Sequence, residues 1–457
     1  MAKTAGLKVD LCVIGAGAAG LSAAAGAAQL GARVALIEAG RMGGDCLNSG
    51  CVPSKALLAA ARAGLDYDAA MARAAAAVAA IAPHDSAERF AGLGVTVIRG
   101  WARFVSPRTV EVAGRHIRAR RFLLATGARP WVPDLPGLVG LPYLTNETLF
   151  DLRVAPGHLL ILGGGPMGVE MAEAHRRLGV AVTLVEAGRC LAREEPELAA
   201  VVCDSLRAIG VTILEGAAAV AVEGEAGALA LRLADGRRVG GTHLLLATGR
   251  RPALEGLGLA AAGIAAAEGR IAVDARLRTA NRRVYAAGDA VSPTQLTHVA
   301  GYQAGLVLRQ VALGLPARVR SDHIPRVVYT EPELAQIGLT EAEARARFAD
   351  VAVVTLPLAG TDRAVTEGIA RGALKLVVRR GRPLGVGIVG PGAGELIAPW
   401  AVVFASRLKL AALTRAVLPY PTLSEVSKQA AGAYFSPKLF DNAWLKWVVR
   451  AVQRLVP

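Results

Sequence analysis

Apolar positions in this chain come in short, nearly continuous runs, and two of the runs recur in the same surroundings. Residues 9–14 (VDLCVI) read as a strand, GAGAAG as a tight turn, the alanine-rich stretch behind it as a helix, and residues 33–37 (RVALI) as a second strand ending at Glu38. Residues 159–162 (LLIL) open the same plan again, with turn GGGPMG, a helix, strand 181–185 (AVTLV) and then Glu186. In both copies the acid stands 23 residues beyond the first glycine, from 15 to 38 and from 163 to 186. Apolar strands of this kind, alternating with helices, predict parallel sheets covered on both faces and therefore an α/β fold.

The glycines say what the repeat is for. The first in each copy, Gly15 or Gly163, allows a tight turn; the second, Gly17 or Gly165, lets the backbone approach a pyrophosphate; the third, Gly20 or Gly168, packs the helix on the strand. The helix N-terminus offers N–H groups to the phosphates, and the closing carboxylate, Glu38 or Glu186, suits the ribose hydroxyls of an adenine nucleotide. Two copies predict two Rossmann-like dinucleotide-binding domains. Each copy is followed by a strand running into a Thr-Gly turn, FLLATGARP at 122–130 and LLLATGRRP at 244–252, which adds Thr126, Gly127 and Gly249 to the candidate cofactor contacts. VYAAGDA at 284–290 adds Gly288 and Asp289, ahead of a helix predicted to begin near Thr297. From about residue 326 the texture changes to strands near 351–356 and 373–378 and helices near 395–408 and 424–434, with no phosphate-binding turn, which predicts a separate α+β domain.

At 457 residues the chain is too long for one core. A net charge of +15 invites a nucleic-acid reading, but no dense Lys/Arg block with interleaved aromatics is present, so nucleic acid is not expected as a partner. Five cysteines do not make a disulfide framework and favour a reducing, cytoplasmic setting. The uncharged run Leu11–Ala28 imitates a secretory signal, yet its glycines would break the required helix. No other apolar run reaches the length of a membrane span. The final stretch, LFDNAWLKWVVRAVQRLVP, reads as an amphipathic helix with Lys446, Arg450 and Arg454 on one stripe and Trp444, Trp447, Val448 and Leu455 elsewhere. Such a helix is suited to peripheral contact with an anionic membrane surface, or to packing within a dimer.

Between the halves of the first nucleotide unit lies GGDCLNSGCVPSK, residues 43–55. Its two cysteines, Cys46 and Cys51, fit a zinc half-site or a redox pair. Cys12, Cys190 and Cys203 are distant in sequence and lack histidine companions, so no metal site is expected and the redox pair is preferred. Cys51 at a helix N-terminus would have its thiolate stabilised by the dipole and free N–H groups. Cys46 is expected nearer an exposed turn, as the sulfur that exchanges with substrate. Lys55 lies one turn further along. Cys12 is expected in the core, Cys190 and Cys203 without a recognisable partner, and His84 in a loop or at a helix end.

Taken together, GAGAAG…Glu38, GGDCLNSGCVPSK, GGGPMGVE…Glu186, AAGDA and YTEPELAQIGLTE resemble the pyridine nucleotide-disulfide oxidoreductases of the lipoamide dehydrogenase, glutathione reductase and mercuric reductase group, over nearly the whole chain. The resemblance implies an FAD domain in two parts (1–150 and 271–325), an NAD(P) domain (151–270), a dimerisation domain (326–437) and the basic tail (438–457). It implies a homodimer in which reduced nicotinamide passes electrons through FAD to a Cys46–Cys51 disulfide and on to a disulfide or dithiol substrate. Cys46 matches the interchange thiol and Cys51 the charge-transfer thiol, Lys55 and Glu170 match an ion pair near the reactive flavin nitrogen, Asp289 matches the acid beside the FAD ribityl and phosphate, and Gly44 lies in the matching cysteine segment.

The chain departs from that pattern at three places. In lipoamide dehydrogenase and glutathione reductase a histidine of the C-terminal domain serves the thiols as acid-base with a glutamate partner. Here LPYPTLSE puts Tyr420 at that position and leaves Glu425 without its usual partner. A phenol with a pKa near ~10 is a poor base at neutral pH. Mercuric reductases resemble this chain in carrying tyrosine there, which adds metal ions and quinones to the acceptors considered, but the final VQRLVP holds no cysteine pair. Asp45 stands where the family usually has threonine close to the FAD phosphates, and needs a compensating donor or metal. Glu186 favours NADH, since a carboxylate accepts from a 2′-hydroxyl and repels a 2′-phosphate. Arg189 is expected to soften that preference toward NADPH.

Overall fold

The computed structural model describes residues 6–455. They divide into two compact units. The first holds the chain up to Gly163 together with Ala174–Val185 and Ala217–Arg320; the second holds Gly164–Glu173, Glu186–Gly216 and the chain from Ser321 onward.

The first unit is built on a sheet that has seven strands among the described residues. Strands Thr96–Arg99, Val34–Glu38, Leu7–Ile14 and Arg115–Leu124 lie side by side in parallel. The long Arg115–Leu124 strand then changes partner along its length. Its first half pairs antiparallel with Thr109–Val112, and its second half, Phe122 to Leu124, pairs in parallel with Val284–Ala286. Alternation across the pleat sorts the side chains into two cores. Leu11, Val13, Leu36 and Leu123 face one way, packing with Ala24 of the Ala18–Gln29 helix and Val307 of the Thr297–Val311 helix. Cys12, Ile14, Ala35, Ile37, Phe122 and Leu124 face the other, against Phe104 and Val110. Cys12 is a core residue as expected, and burial pushes its thiol up to about 12.

The repeat predicted at 159–186 is present, with strand His158–Leu162 between Ala181–Val185 and His243–Leu246, all parallel. An antiparallel meander, Ala219–Glu225, Ala228–Leu233 and Arg238–Gly241, follows in sequence. The helix expected near Thr297 begins at Thr297.

In the second unit five antiparallel strands run in the order Pro325–Val328, Glu333–Gly338, Arg382–Gly390, Ala373–Arg379, Ala352–Pro357. Leu374, Leu376 and Ile388 from this sheet pack with Trp400, Val426 and Ala430. The Trp400 indole N–H donates to Ser427 Oγ at 2.9 Å, so its one polar atom is satisfied inside the core. Lys375 is almost fully buried; its ammonium reaches Glu195 at 2.9 Å and Glu341 at 2.8 Å and also Glu197. Burial alone would push this ammonium down, but the three carboxylates raise it instead. The helix expected near 395–408 is interrupted into Ala393–Leu396 and Ala398–Ala405, with Pro399 in the first turn of the second piece, where its missing N–H costs nothing. The C-terminal amphipathic stretch forms a helix over Ala443–Leu455, separate from Glu425–Phe440.

Candidate active site

In the first unit a cavity of about 840 Å³ opens at the C-terminal ends of the parallel strands. Its lining includes Gly15, Gly17, Glu38, Gly44, Asp45, Cys46, Cys51, Thr126, Gly127, Gly288, Asp289 and Thr297, so residues predicted from four separate motifs meet in one place. Location and size both suit a cofactor, since open α/β sheets bind ligands beyond the carboxyl ends of their strands.

The glycine turn is shaped by close approach. A side chain on Gly15 would put its Cβ 2.2 Å from the Ala125 carbonyl oxygen, and Gly15 has φ +103°, so glycine is required on two grounds. Glu38 fixes the loop from the next strand. One carboxylate oxygen accepts the Ala16 N–H at 2.6 Å and the other the Gly40 N–H at 2.7 Å. The Gly43 N–H donates to the Ala16 carbonyl at 2.9 Å, which ties the start of the cysteine segment to the same turn. Thr126 Oγ is buried and has no hydrogen-bond partner among the described residues. An orphaned hydroxyl on the wall, a glycine cradle and a cavity of this volume fit a dinucleotide such as FAD.

The cysteines lie on two consecutive helices. Cys46 is in Gly44–Asn48 and Cys51 begins Cys51–Arg62. Asn48 holds the first helix by donating to the Met42 and Gly44 carbonyls at 2.9 and 2.8 Å. Cys51 Sγ is 3.4 Å from Thr297 Oγ, at the N-terminus of the Thr297–Val311 helix. Cys46, expected nearer an exposed turn, is half-buried, and Cys51 is the more exposed residue of the pair, because residues 44–48 coil into a helix that turns Cys46 inward. The Cys46 thiol is raised, first by the hydrogen bond it shares with Cys51 and then by burial.

Asp45 has the compensating donor that its position calls for, and it is a side chain the sequence reading missed. The Arg250 guanidinium hydrogen-bonds Asp45, stands 3.8 Å from Asp289 and donates to the Ala128 carbonyl at 2.6 Å. It gets there because the two Thr-Gly repeats pair with each other: Ala128–Pro130 and Arg250–Pro252 form a two-stranded antiparallel sheet. Burial pushes the Asp289 carboxyl up and Arg250 opposes that shift. The signal in the sequence was the extra arginine in ATGRRP where the first copy has ATGARP.

In the second repeat Glu186 copies Glu38. Its oxygens accept the Gly164 N–H at 2.6 Å and the Gly188 N–H at 2.8 Å. Gly163, φ +112°, matches Gly15, with a Cβ that would fall 2.5 Å from the Ala247 carbonyl oxygen. Gly165 and Gly168 sit at the start of the Pro166–Arg177 helix, where the spacing placed them, and Gly249 has φ +114° at the second Thr-Gly turn. One nitrogen of the Arg189 guanidinium donates to the Ala192 and Glu194 carbonyls, both at 3.3 Å, because the loop after Glu186 folds back on itself.

Four further candidates, Lys55, Glu170, Tyr420 and Glu425, lie away from the cavity lining. Lys55 is one turn beyond Cys51 on the same helix. Glu170 is buried in the second unit and accepts the Tyr329 N–H at 3.0 Å. Tyr420 is 70% exposed, and its hydroxyl donates to Asp362 at 2.6 Å. That bond, followed by the charge of Asp362, raises the phenol above its ordinary value. Glu425 begins the Glu425–Phe440 helix and accepts the Thr422 N–H at 3.4 Å. His84 lies in a short 3₁₀ turn, as expected.

A parallel-sheet cavity with a cysteine pair on its wall, together with a repeated nucleotide turn, defines a flavin- and nicotinamide-dependent dithiol oxidoreductase. Comparison with known families agrees: residues 9–304 match the pyridine nucleotide-disulphide oxidoreductase model and residues 324–431 the dimerisation domain of the same family. The chain belongs to that family. It is an FAD- and NAD(P)H-dependent oxidoreductase, and its dimerisation domain supports a homodimer. Among its relatives are a mercuric reductase of Streptomyces lividans, 35% identical over 93% of this chain and 96% of that protein, and a dihydrolipoyl dehydrogenase of Thermus scotoductus, 37% identical over 93% and 97%. Among solved structures, the Cu(II) complex of the HOCl-induced flavoprotein disulfide reductase RclA from Escherichia coli is 32% identical, with a TM-score of 0.87 over 93% of this chain and 99% of that one. No helix of the described residues is long and apolar enough to cross a membrane.

Proposed function

We propose that the chain reduces a disulfide substrate through Cys46 and Cys51, and the observation that carries this is the placing of both sulfurs on the wall of the cavity that Gly15, Glu38 and Asp289 shape. When bound, FAD supplies the transfer of an electron pair from the nicotinamide to the sulfur pair. The chain's own residues do the rest. The Glu38 and Gly15 turn would hold the adenosine end of that group, Arg250 bonds Asp45 and offsets part of the combined charge of Asp45 and Asp289, and the helix beginning at Cys51 favours negative charge on that sulfur. Lys55, one turn on, adds positive charge on the same helix. Cys46, once relieved of its proton, attacks the substrate disulfide; one substrate thiolate leaves, and Cys51 then attacks the mixed disulfide, releases the second and restores the Cys46–Cys51 bond. Glu186, engaged with two backbone N–H groups as Glu38 is, supports NADH over NADPH, and Arg189 is tied elsewhere. Anaerobic titration with NADH and then NADPH tests the relay. A long-wavelength thiolate-to-flavin band is expected after two electrons; bleaching of the flavin without that band rules the relay out and leaves direct reduction of a quinone.

A second acceptor class, thiophilic metal ions, is favoured by Tyr420. Its phenol is raised and bound to Asp362, so it does not relieve Cys46 of a proton at neutral pH. A metal ion displaces thiol protons itself and needs no such base. Tyr420→His is expected to raise disulfide turnover at least tenfold, with a new ionisation near ~6.5, and to leave metal-ion reduction unchanged. Equal effects on both acceptors would remove the distinction.

Peripheral membrane contact is a separate proposal, supported by Trp444 and Trp447, exposed beside Lys446 and Arg450 on the Ala443–Leu455 helix. Unchanged liposome binding after deletion of 438–457 would dispose of it.

A further inference from the structure

Cys190 and Cys203, which the sequence left without partners, are brought together by the second unit. Cys190 lies in the loop after Glu186, and Cys203 lies in the Pro196–Ala208 helix. Their sulfurs and a carboxylate oxygen of Glu215 are all within 4.8 Å of one another. Both sulfurs are buried, whereas Glu215 is exposed. One glutamate oxygen accepts the Cys190 N–H at 2.8 Å and the other the Arg207 guanidinium at 2.9 Å. Gly164 leaves room for the cluster, since a Cβ there would fall 2.5 Å from Cys190 Sγ.

We propose that Cys190, Cys203 and Glu215 form a binding site for a thiophilic d¹⁰ cation, distinct from the Cys46–Cys51 pair. Two sulfurs and one oxygen make the donor set that soft and borderline cations select, and a fourth position is left for water. Two metal–sulfur bonds of about 2.3 Å at a tetrahedral angle hold their sulfurs roughly 3.8 Å apart, so sulfurs already within 4.8 Å of each other need to close by no more than about 1 Å. Each thiol that ligates gives its proton to solvent. Glu215, at the surface, supplies the entry path and exchanges its bond to Arg207 or to the Cys190 N–H for the metal. A pair of buried cysteines with no other polar group beside it would be ordinary packing; the carboxylate reaching it from solvent is what distinguishes this cluster.

The test uses FAD-loaded protein carrying Cys46→Ser and Cys51→Ser, so that the active-site pair binds no metal. After equilibration with Cd(II) and dialysis, atomic emission should find one metal per chain. Adding Cys190→Ser or Cys203→Ser should abolish it, and Glu215→Gln should weaken it severalfold. Should the buried serine variants fail to fold, cadmium NMR of the parent decides: a shift characteristic of two sulfur ligands upholds the site. A parent that retains no metal, an undiminished metal count in both serine variants, or a cadmium shift without sulfur ligands overturns it.

Discussion

The two glycine-turn units, 9–38 and 159–186, share strand, turn, helix, strand and acid, yet they differ in what surrounds them. Glu38 and Glu186 each accept two backbone N–H groups at nearly equal distances. Gly15 and Gly163 each sit against a carbonyl of a neighbouring strand's end. Around the first turn, however, the cysteine helices, Asp289 and Arg250 gather into one cavity, and Arg250 comes from the tail of the second repeat. Around the second, Cys190 rests against Gly164, and the loop after Glu186 ties Arg189 to itself. A shared local motif therefore fixes the glycine turn and its closing acid, and long-range neighbours fix what gathers beside them.

The largest effect expected on this contrast is from Cys46→Ser, which should abolish disulfide turnover while NADH-driven reduction of a quinone survives; retained disulfide turnover would break the assignment of chemistry to the first region. Next come Glu38→Gln and Glu186→Gln. Each replaces a carboxylate that accepts two N–H groups, and at about 1.5–3 kcal/mol for a hydrogen bond to a charged group the first should weaken FAD retention and the second NADH affinity by roughly 10- to 100-fold. Measuring both constants in both variants sharpens the comparison, because crossed effects would mean the turns are not independent. Arg250→Ala should weaken FAD retention by about tenfold through unpaired Asp45 and Asp289, and adding Asp45→Thr should recover part of the loss. An Asp45→Thr change without effect in that background would show that Arg250 acts on Asp289 alone.

The smallest effect is a shift in pH dependence. Since the Cys46 thiol is raised chiefly by its bond to Cys51, its alkylation in the reduced protein should stay slow at neutral pH and accelerate only in alkaline solution. Cys51→Ser should move that rise to lower pH, with the part due to burial remaining. Mass-spectrometric alkylation rates across pH would decide.

Much of the candidate site was legible because it is local. A turn of fixed glycine spacing, an acid at fixed distance and two cysteines with four residues between them are constrained by backbone geometry within a few dozen residues, and they fold where the sequence placed them. The relative exposure of Cys46 and Cys51 was not legible, since it depends on whether residues 44–48 coil. The role of Asp45 was legible only as a need: its acid requires a cation, but which one follows from the antiparallel pairing of two distant Thr-Gly segments. Cys190 and Cys203 have a helix and a loop between them, and nothing in a thirteen-residue separation says that the helix returns the second sulfur to the first.

By itself the amino-acid sequence determined the α/β class, the two glycine turns, their closing acids and the position of the Cys46–Cys51 pair, because each rests on short-range sterics and periodicity. Tertiary structure alone decided which cation pairs with Asp45, which sulfur is the more buried, where Tyr420 sends its hydroxyl and which cysteines meet, because these depend on how segments far apart in the chain are packed against each other.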